Sequence, residues 1–435
     1  MVRYLKENAQ FLLLCVVWIV TGILIPETAL ILVPVSLLLL RNKEQYTEIV
    51  LTILLINYLS DNRHYEFEFA AIAKGYVLML AAAFVFLNPR NFPVRSKIIY
   101  PYIPFFLLAF TLFPRNPDPL ISFQKTLSFF LIIAAIPNYF LRQLEVEKEV
   151  FLKKFIWLGV LLYITGFIMI FVLPNDWTFL VGRYTGLLGN PNGVGNFSTC
   201  FFLLISVSLY HFPDMFTRRE KIIIYGSLAL SILLSSSRNC IFSIAIFLFF
   251  SRFYRISPWI GFVIVILSAI LFQVINDNLP AIILNLGLGS YFRVEHLNDG
   301  SGRLIAWSFA WDQIQKHHFL LGRGFAFEEW LFNMNHDWLA RLGHVGMVHN
   351  TYLAVWLNTG IIGLILFLFA IFYNFIKAAR INPLAFPCFF AILFSTNFES
   401  WFQASLNPFT IIALLVLTLL QYEKPKTQEG SVPVL

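Results

Sequence analysis

The chain is poor in charge. Of its 435 residues only 13% are Asp, Glu, Lys or Arg, whereas 58% are apolar, and the mean hydropathy is +0.74. So little charge against so much hydrocarbon excludes a soluble globular domain and describes an integral membrane protein. Cysteine is also scarce. Cys15, Cys200, Cys240 and Cys388 lie in or beside apolar runs, and none forms a CxxC. That excludes a disulfide framework and a structural zinc site, and leaves small core residues. There is no P-loop, no DxD acidic pair and no internal repeat of solenoid length. The net charge of +7 is not a nucleic-acid signal, because the cations fall between apolar runs, as a topology signal does.

What the chain does have is apolar length and 48 phenylalanines. Apolar segments fall near 10–24, 28–40, 46–60, 69–87, 98–113, 119–141, 154–173, 193–211, 222–236, 239–251, 256–275, 349–376, 383–397 and 409–421. Several are shorter than the ~20 residues a span needs. The expectation is therefore an all-α polytopic membrane protein with 12–14 transmembrane helices. Arg3 and Lys6 precede the first run, but no small-x-small cleavage site follows it, so we read an uncleaved span.

If every run crosses, alternate connections carry most of the 31 lysines and arginines, which puts both termini on the cytoplasmic side. Eleven cations escape this rule: Arg63, Lys74, Arg115, Lys125, Arg183, Arg238, Arg293, Arg303, Lys316, Arg323 and Arg341. The chain divides into N-terminal spans over 1–275, an external loop over 276–348, C-terminal spans over 349–422 and a cytoplasmic tail over 423–435. Within the loop, residues 302–318 read as a helix capped by Ser301. Leu304, Trp307, Trp311 and Ile314 form its apolar stripe, suited to the membrane interface.

Four elements face the external side. Arg238 stands in Ser235-Ser236-Ser237-Arg238, where the chain turns between two short apolar runs. Thirteen helical residues reach only about 20 Å, so the turn is expected below the outer surface, facing a cavity. A guanidinium there points to an anion, with a structural ion pair as the plainer reading. Arg183 precedes Gly189-Asn190-Pro191-Asn192-Gly193, read as a tight turn feeding the span from 193. Arg303 opens the loop helix, where a cation opposes the macrodipole unless an anion is shared. His349 stands where the loop returns to the membrane, placed for a general base or an orienting group.

Six of the eight histidines lie between 296 and 349. His344, His349 and Asp337 invite a metal reading, but the spacing of five is not a helical i, i+4 pair, and no metal or other cofactor is expected. Lys74 and Lys125 lie inside spans and either snorkel or line the same cavity; Glu399 is placed to pair with one of the arginines or to orient His349.

Arg183 followed by Gly-Asn-Pro-Asn, Ser-Ser-Ser-Arg238, Ser-Gly-Arg303 and His349-Asn-x-Tyr, in this order over roughly 170–420, resemble the O-antigen ligase and polymerase superfamily. The resemblance implies an inverting, metal-independent glycosyltransferase in the bacterial inner membrane, its site facing the periplasm. It implies a donor glycan on undecaprenyl diphosphate and an acceptor that is lipid A–core or another glycan. Arg183, Arg238 and Arg303 would hold the diphosphate, His349 would activate or orient the acceptor hydroxyl, and Phe-rich grooves would take the polyprenyl chain. One long loop, rather than two arginine-rich ones, leans the reading toward ligase over polymerase. Intramembrane cations also suit a transporter of lipid-linked sugars, but the broken pattern is confined to one face.

Overall fold

The computed structural model describes residues 2–87, 96–268, 302–403 and 406–423. Residues 269–301, with Arg293, His296 and Ser301, lie outside the described residues, as does the tail beyond 423. The protein is an all-α polytopic membrane protein. Six of its described helices are long and apolar enough to cross a bilayer: Tyr65–Phe86, Pro119–Val146, Glu149–Val172, Pro191–His211, Arg238–Ile256 and Thr351–Ala379. Shorter apolar helices include Ala9–Leu24, Tyr46–Leu59, Pro258–Ser268, Ala385–Phe398 and Pro408–Leu420.

Burial sorts these helices into an inner and an outer set. Every residue of Tyr46–Leu59 and of Pro408–Leu420 is buried. Both are predominantly apolar, and a helix with no exposed polar face belongs at the centre of a bundle; the Glu48 of the first pairs with Lys154. The outer helices instead present apolar side chains outward, among them Leu13, Ile31, Phe171, Leu233 and Ile365. In water such a surface aggregates; in a bilayer it is the surface the solvent prefers.

Two expectations needed correction here. Asn190-Pro191-Asn192-Gly193 is not a turn ahead of a span: the helix starts at Pro191, and the Asn190 side chain caps it by accepting the Asn192 N–H at 2.8 Å. Pro fits the first helical position because the N–H it lacks is unbonded there anyway. The helix before Arg238 is also longer than its apolar run: Arg218–Ser235 has 18 residues, about 27 Å, and its first turn is Arg218-Arg219-Glu220-Lys221. A capping box between Thr217 and Glu220 lets it begin on polar sequence.

The segment after residue 302 is docked onto helix Thr351–Ala379 by backbone. That helix breaks at Gly360, whose φ is +73°. The Gly324 N–H donates to Asn358 O at 2.7 Å and the Ile361 N–H to Phe319 O at 2.8 Å. A Cβ on Gly360 would lie 2.2 Å from Leu320 O. Only glycine admits both the left-handed backbone and this approach.

Candidate functional site

Each arginine is delivered by a different local device. Strands Phe179–Leu180 and Arg183–Tyr184 pair antiparallel across Val181 and Gly182, both at positive φ. Such a mirror-image turn matches strand twist. Tyr184 is buried, so its alternating neighbour Arg183 points the other way, toward helix end Ser235. The Arg183 Nε donates to Ser235 O at 2.9 Å, and Nη2 donates to Asn192 Oδ1 at 3.1 Å and Ser236 O at 3.4 Å. The guanidinium thus serves carbonyls that a helix C-terminus leaves unbonded.

Arg238 is the first residue of helix Arg238–Ile256, after a reversal in which Ser236 adopts φ +47°. Gly195 permits the close packing of this reversal, since a Cβ there would lie 2.1 Å from Ser237 Oγ. The adjacent Asn239 amide donates to Asn196 Oδ1 at 3.3 Å and Ser395 O at 3.2 Å.

Arg303 is likewise the first residue of its helix, Arg303–Gln313, which continues as one π-helical stretch to His318. The residue at its N-cap is Gly302, at φ +79°, not the serine expected. Its packed face is Ala306, Ala310 and Ile314, which are buried, while Leu304 and Trp311 of the expected stripe are exposed. The two alanines let this helix lie close against its support.

His349 is held in the left-handed region at φ +49°, a conformation costly for a residue with a Cβ. Asn350 then caps helix Thr351–Ala379, accepting the N–H groups of Tyr352 at 2.9 Å and Leu353 at 3.0 Å. The peptide before His349 is gripped on both sides: the Val348 N–H donates to Glu328 Oε1 at 2.9 Å, and Trp307 Nε1 donates to Val348 O at 2.9 Å.

These stretches meet in one pocket of about 150 Å³, lined by Arg183, Asn192, Arg238, Asn239, Arg303, His344, Val345 and His349. The four principal residues expected from the sequence are therefore brought together. Glu399 joins two of them. Its Oε1 accepts from Arg303 Nη2 at 2.6 Å, and its Oε2 faces His349 Nδ1 at 3.3 Å. Burial pushes the Glu399 carboxyl up, but the His349 and Arg303 contacts outweigh it and hold the group below its ordinary value. Glu399 is thus an anion that pairs with Arg303 and orients His349. The Nε of Arg303 is buried with no hydrogen-bond partner among the described residues. His344 is pushed below the usual histidine value, chiefly by burial.

Lys74 and Lys125 line a different groove from the arginines. Lys74 Nζ donates to Leu406 O at 3.2 Å, and Lys125 forms an ion pair with Glu329. Asp337 is exposed and meets His336 rather than His344 or His349. Among the described residues, no three His, Cys, Asp or Glu side chains are grouped to hold a metal.

Asn192 and Asn239 reach the pocket without having been singled out from the sequence. Each sits in the same short stretch as an arginine, which was the available signal. Glu328 and Trp307 carried none, because what they bind is backbone.

Comparison with known proteins bears on the same residues. Residues 223–368, about a third of the chain, match the family model of the O-antigen ligase. The matched stretch holds Arg238, Arg303 and His349. It supports the O-antigen ligase superfamily, in agreement with the resemblance carried by the motifs. No curated protein matches the chain.

Proposed function

We propose that the protein is an inverting, metal-independent glycosyltransferase of the O-antigen ligase type. It moves a glycan from undecaprenyl diphosphate to a sugar hydroxyl of lipid A–core, on the periplasmic face of the inner membrane. One observation carries this reading: three guanidiniums and a carboxylate-bound histidine share a single small pocket. A space of about 150 Å³ suits a small polyanion rather than a whole sugar. Two of the three arginines begin helices, so each guanidinium acts beside free backbone N–H groups, the natural partners of phosphate oxygens.

In this reaction the acceptor oxygen attacks the anomeric carbon from the face opposite the diphosphate. The bond from that carbon to the phosphate oxygen breaks, and the electron pair leaves with the diphosphate. Arg238, Arg303 and Arg183 stabilise the negative charge that develops there. Glu399 accepts from His349 Nδ1 and leaves Nε2 as the basic nitrogen, which takes the acceptor's proton. The polyprenyl chain would run along the three helices that carry Asn192, Ser235 and Arg238 toward a groove of about 590 Å³ in their opposite halves, which extends to Pro213 and Arg255. Phe202, Tyr225 and Phe247 line it.

A polymerase that joins repeat units uses the same donor chemistry with a different acceptor, and a transporter of lipid-linked sugars does no chemistry. The test is purified protein in detergent with an undecaprenyl-diphosphate-linked glycan and lipid A–core. Release of undecaprenyl diphosphate together with glycosylated core supports ligation. Growth of the lipid-linked glycan instead supports polymerisation. With no release under either acceptor, the reading fails.

A further inference from the structure

A second groove opens between helices Glu68–Phe86 and Pro119–Val146, with a volume of about 470 Å³. It has features that a mere gap between spans lacks. Lys74 and Lys125 both line it, and each stands six residues into its helix, about 9 Å along the axis. On the expected topology both helices start at the external side, so the two ammonium groups share one depth, just below the outer headgroup layer. A lysine in a span is costly and marks a polar ligand or path by default. Below the lysines the walls are apolar, and Gly75 leaves part of the groove open: a Cβ there would meet no atom within 4 Å.

The two lysines differ in what holds them. Lys125 is tied to Glu329 of the external segment. Lys74 is hydrogen-bonded to a carbonyl, Leu406 O; the carboxylate whose charge acts on it most is Asp61, with which it forms no direct ion pair among the described residues. Both tethers lead back to the site. Glu329 follows Glu328, which grips the peptide before His349; Leu406 belongs to the same connection as Glu399. The head of this groove is thus tied to the two chain segments that hold His349 and Glu399, while the arginine pocket is lined from other helices.

Resting on the glycosyl-transfer reading, we propose that this groove seats the lipid anchor of the acceptor. The acceptor is then a phosphorylated amphiphile, its hydrocarbon chains between helices Glu68–Phe86 and Pro119–Val146 and its phosphate at Lys74. The second substrate comes to His349 from within the bilayer, on the side opposite the donor.

Two substitutions test the groove without threatening the fold. Gly75→Leu replaces a poor helix former with a good one, and its Cβ meets no protein atom within 4 Å, so the side chain is directed into the groove in a folded protein. Lys74→Gln removes the charge and keeps a hydrogen-bond donor for Leu406 O. Native mass spectrometry is run with phosphatidic acid and with diacylglycerol of the same chains as probes. Wild type should retain phosphatidic acid over diacylglycerol, and each variant should lose that retention by about tenfold, as expected for one charge-assisted contact. In transfer assays both variants should raise KM for lipid A–core by a similar factor, while transfer to the water-soluble core oligosaccharide and KM for the donor stay at wild-type values. Equal retention of the two probes by wild type, unchanged KM for lipid A–core in both variants, or equal effects on lipid-anchored and soluble acceptors would each overturn the assignment. A raised donor KM would give the groove to the donor's tail and overturn it too. If instead wild type binds phosphatidic acid as described but transfers to no acceptor, the groove stands and the glycosyl-transfer reading falls.

Discussion

The buried carboxylate of Glu328 accepts the backbone N–H of Val348 at 2.9 Å, one residue before His349. The backbone N–H of Glu328 in turn donates to Asn358 Oδ1 at 2.9 Å, inside the helix that His349 precedes. The histidine is thus set by a brace running from a membrane helix through an external segment, and its left-handed backbone is held there rather than tolerated.

That brace should be visible in the pH dependence of stability. Burial pushes the Glu328 carboxyl up to about 7, against the pull of the Val348 N–H; Glu329, Lys125 and His349 are the charged neighbours. The folded protein then holds a proton more tightly than the unfolded chain does. Its stability therefore falls as pH rises from about 4.5 toward 7, by at most about 3 kcal/mol. Glu328→Gln keeps an acceptor for Val348 and removes this dependence. The melting temperature of the variant should gain on wild type between pH 5 and pH 8. Parallel curves would mean that the carboxyl is already ionised across the range.

The arginines should separate by task. Arg238→Ala and Arg303→Ala should abolish transfer in protein that still inserts and accumulates, and Arg303→Ala should weaken donor binding. Arg238→Lys should remain poor, because a point charge does not reproduce a planar fork. Arg183 holds Ser235 O and Ser236 O, so Arg183→Ala should lower the melting temperature as well as the activity. Near-wild-type turnover of the Arg238→Lys variant would leave that residue with charge alone as its contribution.

His349→Ala should reduce turnover at least about 10²-fold with donor affinity nearly unchanged. Glu399→Gln should also slow turnover while retaining donor binding, since a neutral amide no longer fixes the imidazole as a carboxylate does. If His349→Ala weakens donor binding as much as turnover, the histidine is a phosphate contact, and acceptor activation belongs elsewhere.

Turnover with purified donor and acceptor should survive EDTA, because guanidiniums stand where other glycosyl transfers use a divalent ion. Activity lost in EDTA and restored by Mg²⁺ or Mn²⁺ would retire the arginine mechanism.

Orientation is open to direct labelling. All four native cysteines are buried, so background reaction should be low. In intact cells Asp337→Cys should react with a membrane-impermeant maleimide and Glu423→Cys should not. The reverse pattern would turn the whole site toward the cytoplasm.

Much of this architecture is legible in a linear sequence, and the reasons for success and failure are physical. Apolar runs announce helices because hydrocarbon leaves the backbone no other partner. Arg183, Arg238, Arg303 and His349 stood out because a cation or imidazole beside an apolar run has no topological purpose. That Glu399 meets both Arg303 and His349 was anticipated only as one of two alternatives, because a pairing across 96 residues leaves no local pattern. The helix start at Pro191 was misread as a turn because Asn-Pro-Asn-Gly serves both. The helix before Arg238 was taken too short because apolar run and helix were equated, although Thr217 and Glu220 start the helix on polar sequence. Glu328 stayed silent because its partner is a peptide group, which every residue possesses.

The break at Gly360 reaches beyond the geometry of one helix. Because the chain around Leu320 occupies the break and bonds to both of its sides, the external segment and the helix beneath it share a single joint. Lifting the segment off would strand the Asn358 carbonyl and the Ile361 N–H in apolar surroundings, a cost that rules against a hinged cover. On the proposed function, this joint favours entry of lipid-linked substrates sideways between helices over entry beneath a hinged cover.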